Sequence, residues 1–161
     1  MNYFKIFNIK ENFKIDYKKL SRNFYKLQKK FHPDMNIKNI KYGKTEKNKS
    51  VEINNGYKIL KNPIKRAEYI IKINNLKIFK KKEICTTKFL IYIFKLNKKI
   101  EKIKKSKKYK KEKKQLLKNI KKKKHMYYKK IYINIKNKKW EKSKNILTKL
   151  KFIKKIISKI K

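Results

Sequence analysis

Glycine, proline and cysteine are nearly missing from this chain, whose 161 residues include 2 Gly, 2 Pro and 1 Cys. So little glycine leaves few tight turns and no extensive sheet, and the long proline-free runs favour an all-helical protein. With Cys85 alone, no internal disulfide can form; a reducing compartment is compatible, and one buried thiol is the simplest reading. No apolar run exceeds Phe89 to Phe94, far too short to cross a bilayer. The N-terminus lacks the apolar core and small-residue cleavage site of a signal peptide, so a cytoplasmic protein without a membrane partner is expected. Catalytic signals are equally sparse. No serine or cysteine nucleophile lies in a recognisable motif, there is no glycine-rich phosphate loop, and His32, His125 and Cys85 form no metal-ligand spacing. An enzyme is not expected, and no cofactor or metal.

What the chain has is lysine. Of its 54 basic residues only Arg22 and Arg66 are arginine, and the formal charge is +44. Such a charge ordinarily points to nucleic acid. Here the cations are on every segment, and arginine, the preferred residue for bidentate phosphate and base contacts, is scarce. Lys, Ile, Asn, Tyr and Phe are residues of A- and T-rich codons, so genome composition accounts for the drift. Nucleic acid is expected to bind only non-specifically, and self-repulsion should cost stability, most at low salt. A lysine-rich helical nucleic-acid-binding protein is the alternative reading.

Against this background one tripeptide stands out. His32-Pro33-Asp34 holds one of 2 His, one of 2 Pro and one of two aspartates, the other being Asp16. It follows an amphipathic run from Asp16 to Phe31, in which Tyr17, Leu20, Phe24, Leu27 and Phe31 recur at helical steps of three and four. Asp16 is placed to cap that helix, and Pro33 should end it near Phe31 or His32. A second amphipathic run extends from about Thr45 to Leu60. With the apolar opening Tyr3 to Phe7 and the stretch Asn55 to Tyr69, this pattern resembles the J domain of DnaJ-type co-chaperones. The opening Asn2-Tyr3-Phe4 and a separate helical segment behind are similar to the HscB family, co-chaperones of iron–sulfur cluster assembly.

The helical segment is expected to begin near Leu76 and to form three helices. These run from about Thr87 to Lys107, Tyr109 to Ile133 and Lys139 to Ile160. The first carries a seam of Phe89, Ile93, Leu96, Ile100 and Ile103. The second offers Leu116, Leu117, Ile120, Tyr127, Tyr128 and Ile131, with weak packing expected in its lysine-rich middle. The third offers Trp140, Ile146, Leu150, Ile153, Ile157 and Ile160. At about 100° per residue, Leu90, Ile91 and Phe94 point some 100 to 200° from the first seam, and Phe152 about 120° from the last. Apolar side chains left over in this way mark a binding surface.

The expected fold is therefore all-α. A J domain in residues 1–75, a helical hairpin with a loop between its long helices, precedes a three-helix bundle in residues 76–161. The resemblance implies two partners. His32, Pro33 and Asp34, with Lys18, Arg22, Lys26 and Lys29 on the outer side of the long helix, would engage a specialised, HscA-like Hsp70 and stimulate its ATP hydrolysis. Leu90, Ile91, Phe94 and Phe152 match the family positions that bind the IscU-like scaffold on which clusters are built. Two departures weaken the match. The family places acidic residues on the scaffold-facing surface where this chain has Lys95 and Lys98, and Met35 stands where many J domains carry a basic residue.

Overall fold

A computed structural model describes residues 2–31, 44–82 and 85–160, with side chains described from residue 48 onward in the second stretch. His32, Pro33, Asp34 and Met35 lie outside the described residues. All regular structure among the described residues is helical, and the chain divides into two compact units, Met1–Ile73 and Asn74–Lys161.

The first unit contains α1 (Tyr3–Ile6), α2 (Tyr17–Phe31), α3 (Lys44–Lys61) and α4, which runs Pro63–Asn74. Asp16 caps α2, its Oδ1 accepting from the amides of Lys18 at 2.8 Å and Lys19 at 3.0 Å. These bonds, that of Lys19 foremost, hold its carboxyl below the ordinary 3.8. The cap therefore contributes stability that is complete above the ordinary value and is lost as pH falls through the lower folded one. The helix ends at Phe31, two residues before Pro33.

Helices α2 and α3 form a hairpin with specific cross-links. The Phe24 and Tyr57 rings stack at 4.0 Å, the Ser21 and Tyr57 hydroxyls lie 3.2 Å apart, and Gln28 Nε2 donates to Asn54 Oδ1 at 3.1 Å. Behind the hairpin, Phe4, Phe7, Phe13, Leu20, Ile53, Leu60, Ala67, Ile70 and Ile71 are buried together. Tyr17 departs from the expected apolar stripe. It is 47% exposed, because its hydroxyl and ring serve Arg66.

Gly56 lets α1 lie close against α3. A Cβ there would meet Tyr3 Cδ1 at 2.8 Å and Phe7 Cε2 at 3.0 Å. Tyr3 has little room to yield, since its ring stacks on Tyr69 at 4.7 Å and its amide donates to the Tyr69 hydroxyl at 3.0 Å. Alanine at an unconstrained helical site stabilises by about 1 kcal/mol over glycine. Gly56→Ala is expected to do the reverse and destabilise the first unit by about 1–2 kcal/mol, the usual range for overpacking. A lower urea midpoint at unchanged slope is the check; a raised midpoint would mean that α1 gives way freely.

The second unit contains α5 (Leu76–Lys80), α6 (Thr87–Lys104), α7 (Tyr109–Lys136) and α8, which runs Trp140–Ile160. The last three form the bundle. Every member of the first expected seam is buried, as are Leu116, Ile120, Tyr127 and Ile131 of the second. On α8 the buried set is Ser143, Leu147, Thr148, Leu150, Ile153, Ile156, Ile157 and Ile160, so Leu147 takes the place expected for Ile146. Helix α7 continues past Ile133 to bury Ile135.

Two features were not foreseen. The short α5 is capped by Asn75, which accepts from Ile78 N at 2.9 Å, and is tied to α8 by Lys144. The Lys144 ammonium donates to the carbonyls of Ile78 (2.9 Å), Phe79 (2.6 Å) and Lys81. Cys85 is half-buried rather than buried.

Candidate functional site

The hairpin turns one face of α2 to α3 and leaves the other outside. Lys18, Arg22, Lys26 and Lys29 are all exposed on that outer face. At 1.5 Å per residue they form a cationic strip about 16 Å long. An exposed aromatic lies among them. Tyr25 is 68% exposed and sits edge-on to Phe24 with centroids 5.5 Å apart. By rotation Tyr25 falls between Lys18 and Lys29 on the helix surface, a placement the heptad-like spacing would have revealed had the strip been read for aromatics as well as charge.

The strip ends at Phe31, whose ring receives the ammonium groups of Lys30 at 5.5 Å and of Lys49, across the hairpin, at 5.6 Å. The Phe24 to Tyr57 stack, the Gln28 to Asn54 bond and this last contact hold the C-terminal half of α2 against α3.

On α6 the seam turned inward leaves Leu90, Ile91 and Phe94 outside, at 46%, 50% and 59% exposure. Phe152 of α8 is half-buried, and its ring meets the edge of Phe89 at 6.0 Å. Phe89 is thus a buried link between Phe152 and the turn of α6 that carries Leu90. Lys98 lies over the Phe94 ring at 4.7 Å. The lysine-rich middle of α7, expected to pack weakly, has no buried residue between Ile120 and Tyr127 but contributes a half-buried lysine. Lys123 sits 3.4 Å from the centroid of Tyr92, and burial, followed by the nearby Lys149 charge, draws its pKa down. Burial likewise pushes the Tyr92 and Tyr127 hydroxyls up.

Among the described residues no group of three His, Cys, Asp or Glu could hold a metal ion, and no helix is long and apolar enough to cross a membrane.

Comparison with known proteins follows the same division. Residues 2–69 match the DnaJ domain, and residues 86–161 match the HscB C-terminal oligomerisation domain. The chain is 39% identical to the co-chaperone protein HscB of Buchnera aphidicola from Acyrthosiphon pisum over 160 residues, covering 97% of this chain and 91% of the relative. The chain belongs to the HscB co-chaperone family. An HscB homolog of Vibrio vulnificus is 29% identical over 99% of the chain and 95% of its own length. The solved HscB from Vibrio cholerae superposes with a TM-score of 0.88 at 25% identity, covering 99% of this chain and 95% of that one. Human HscB has the same fold, with a TM-score of 0.83 at 24% identity over 99% of this chain and 80% of its own. The all-α reading, a J domain followed by the HscB bundle, is therefore that of the family.

Proposed function

We propose that this HscB-family chain is a cytoplasmic co-chaperone of iron–sulfur cluster assembly. It carries out no chemistry of its own. One unit stimulates ATP hydrolysis by an HscA-like Hsp70, and the other delivers an IscU-like scaffold to it. The observation that carries the reading is the exposed trio Leu90, Ile91 and Phe94 on a bundle joined to a J domain, since contiguous apolar surface on a soluble unit marks a partner site.

In this account the strip of Lys18, Arg22, Lys26 and Lys29 steers the J domain to an acidic surface of the Hsp70 nucleotide-binding domain and speeds the encounter. His32 and Asp34, in the tripeptide with Pro33, then make contacts that favour the hydrolysis-competent conformation of the ATPase. The effect is a shift in population, and the chemistry stays in the partner. Leu90, Ile91, Phe94 and Phe152 hold the scaffold meanwhile. Any cluster is cargo of the scaffold.

Leu90→Ala with Phe94→Ala tests the client end. Both side chains are exposed, so the bundle should keep its fold, while scaffold binding should weaken by at least about 2 kcal/mol, or thirtyfold, if they fill central pockets. Isothermal titration with the scaffold measures it. Unchanged affinity would place the client site elsewhere.

A further inference from the structure

Helix α6 carries three aromatic residues, Phe89, Tyr92 and Phe94, and each has a lysine ammonium over its ring. The Nζ-to-centroid distances are 4.7 Å for Lys98 on Phe94, 5.6 Å for Lys149 on Phe89 and 3.4 Å for Lys123 on Tyr92. The three lysines come from three different helices. Two of the seats are joined, for Phe89 lies 6.1 Å from Tyr92, and Phe89 also meets Phe152 at 6.0 Å.

A lysine on a plain helical face swings through many rotamers and loses that freedom when it pairs. An ammonium resting on a ring has already lost part of it, and the ring's negative face holds it in place. Lys98, on Phe94, and Lys149, on the Phe89 ring that meets Phe152, are therefore positioned beside the apolar patch before any partner arrives.

Acidic residues are scarce around them. Lys123 feels burial and the like charge of Lys149. The only acidic residue on α6 is Glu101, one turn from Lys98, against six lysines on the same helix. Apolar surface flanked by held cations in such excess is complementary to one kind of occupant.

We propose that this surface takes an acidic protein segment, whose apolar side chains cover Leu90, Ile91 and Phe94 while its carboxylates reach Lys98 and Lys149. The inference rests on the reading that the Leu90 patch holds the scaffold, and it adds the charge that the scaffold must present there. A nucleic acid fits less well, because exposed leucine and isoleucine offer nothing to a phosphate backbone.

The test titrates the full-length chain with the IscU-like scaffold of the same organism at low and at high salt. The variants are Lys98→Gln with Lys149→Gln, Leu90→Ala with Phe94→Ala, and a control of equal charge change on α7, Lys110→Gln with Lys114→Gln. Neutralising Lys98 and Lys149 is expected to weaken binding about tenfold at low salt and to flatten its salt dependence, with the control within about twofold.

If the Lys98 and Lys149 variant loses no more than the control while the Leu90 and Phe94 variant still fails to bind, the charge inference is wrong and the scaffold reading stands. If neither variant affects binding, both fall. Equal displacement of the scaffold by a random-sequence RNA oligonucleotide, insensitive to Leu90→Ala, would also overturn the proposal by reducing the surface to a general polyanion binder.

Discussion

His32→Gln, and separately Asp34→Asn, is expected to return the partner Hsp70 to its unstimulated ATPase rate while leaving scaffold affinity unchanged. The separation follows from the division of the chain. The tripeptide belongs to the segment joining α2 to α3, and the apolar trio belongs to α6 in the other compact unit. Both substitutions preserve size and remove one function: the ionisable imidazole in the first, the carboxylate charge in the second. Neutralising Lys26 and Lys29 should act differently, slowing the encounter by an amount that shrinks with added salt, since exposed charges guide association and are screened over about 10 Å. Steady-state ATP turnover with the scaffold present distinguishes the two. Stimulation by the His32 variant equal to that of the parent would remove the tripeptide from the mechanism.

The second large effect concerns Arg66, one of the chain's two arginines and only 3% exposed. Its guanidinium donates from Nε to the Phe13 carbonyl at 2.8 Å, from Nη1 to the Leu60 carbonyl at 2.5 Å and from Nη2 to the Tyr17 hydroxyl at 3.1 Å. The Phe13 and Tyr17 rings lie 5.4 and 5.3 Å from its central carbon. This planar fork joins α4 to the end of α3, the start of α2 and the loop before it. Lysine cannot imitate it, because one ammonium cannot reach three acceptors spread around a plane.

Arg66→Met leaves two backbone carbonyls without their donor at a buried site, each costing about 1–3 kcal/mol, so a loss of about 3–5 kcal/mol is expected. That is a large part of the 5–15 kcal/mol or so that holds a typical domain together. Arg66→Lys should recover only part of it. Hydrogen exchange read segment by segment is the suitable measurement, with protection lost across α2, α3 and α4 and retained across α6, α7 and α8. Undiminished protection of the first unit would mean that the fork is dispensable.

These two cases show where the sequence was informative. Local signals were read well. Asp16 capped α2 where an acceptor before an amphipathic run should, and the step of three and four from Phe89 to Ile103 gave the buried side of α6 residue by residue. Because that seam was right, Leu90, Ile91 and Phe94 were left facing outward.

Contacts between distant residues carried no such signal. Nothing in the pattern around Arg66 reveals that Phe13 and Leu60 present carbonyls to it, or that Gly56 faces Tyr3. On α8 both Ile146 and Leu147 satisfy helical spacing with Leu150 and Ile153. The choice was made by Ser143, a small residue that is fully buried with its hydroxyl donating to Lys139 O at 2.9 Å. A periodicity read on apolar residues alone passes over it. The aromatic seats of Lys123 and Lys149 were hidden for a related reason, since in a chain so rich in lysine only position in space separates a held cation from a solvated one.

The central claim is that one chain couples a client to an ATPase. It is tested most directly by the Hsp70 ATPase rate measured with the chain alone, the scaffold alone and both together. A tethered scaffold is presented at high effective concentration, so the rate with both should exceed the sum of the separate stimulations, and Leu90→Ala with Phe94→Ala should abolish that excess while sparing the stimulation by the chain itself. A rate with both proteins that merely equals the sum, unchanged by the patch variant, would contradict the account.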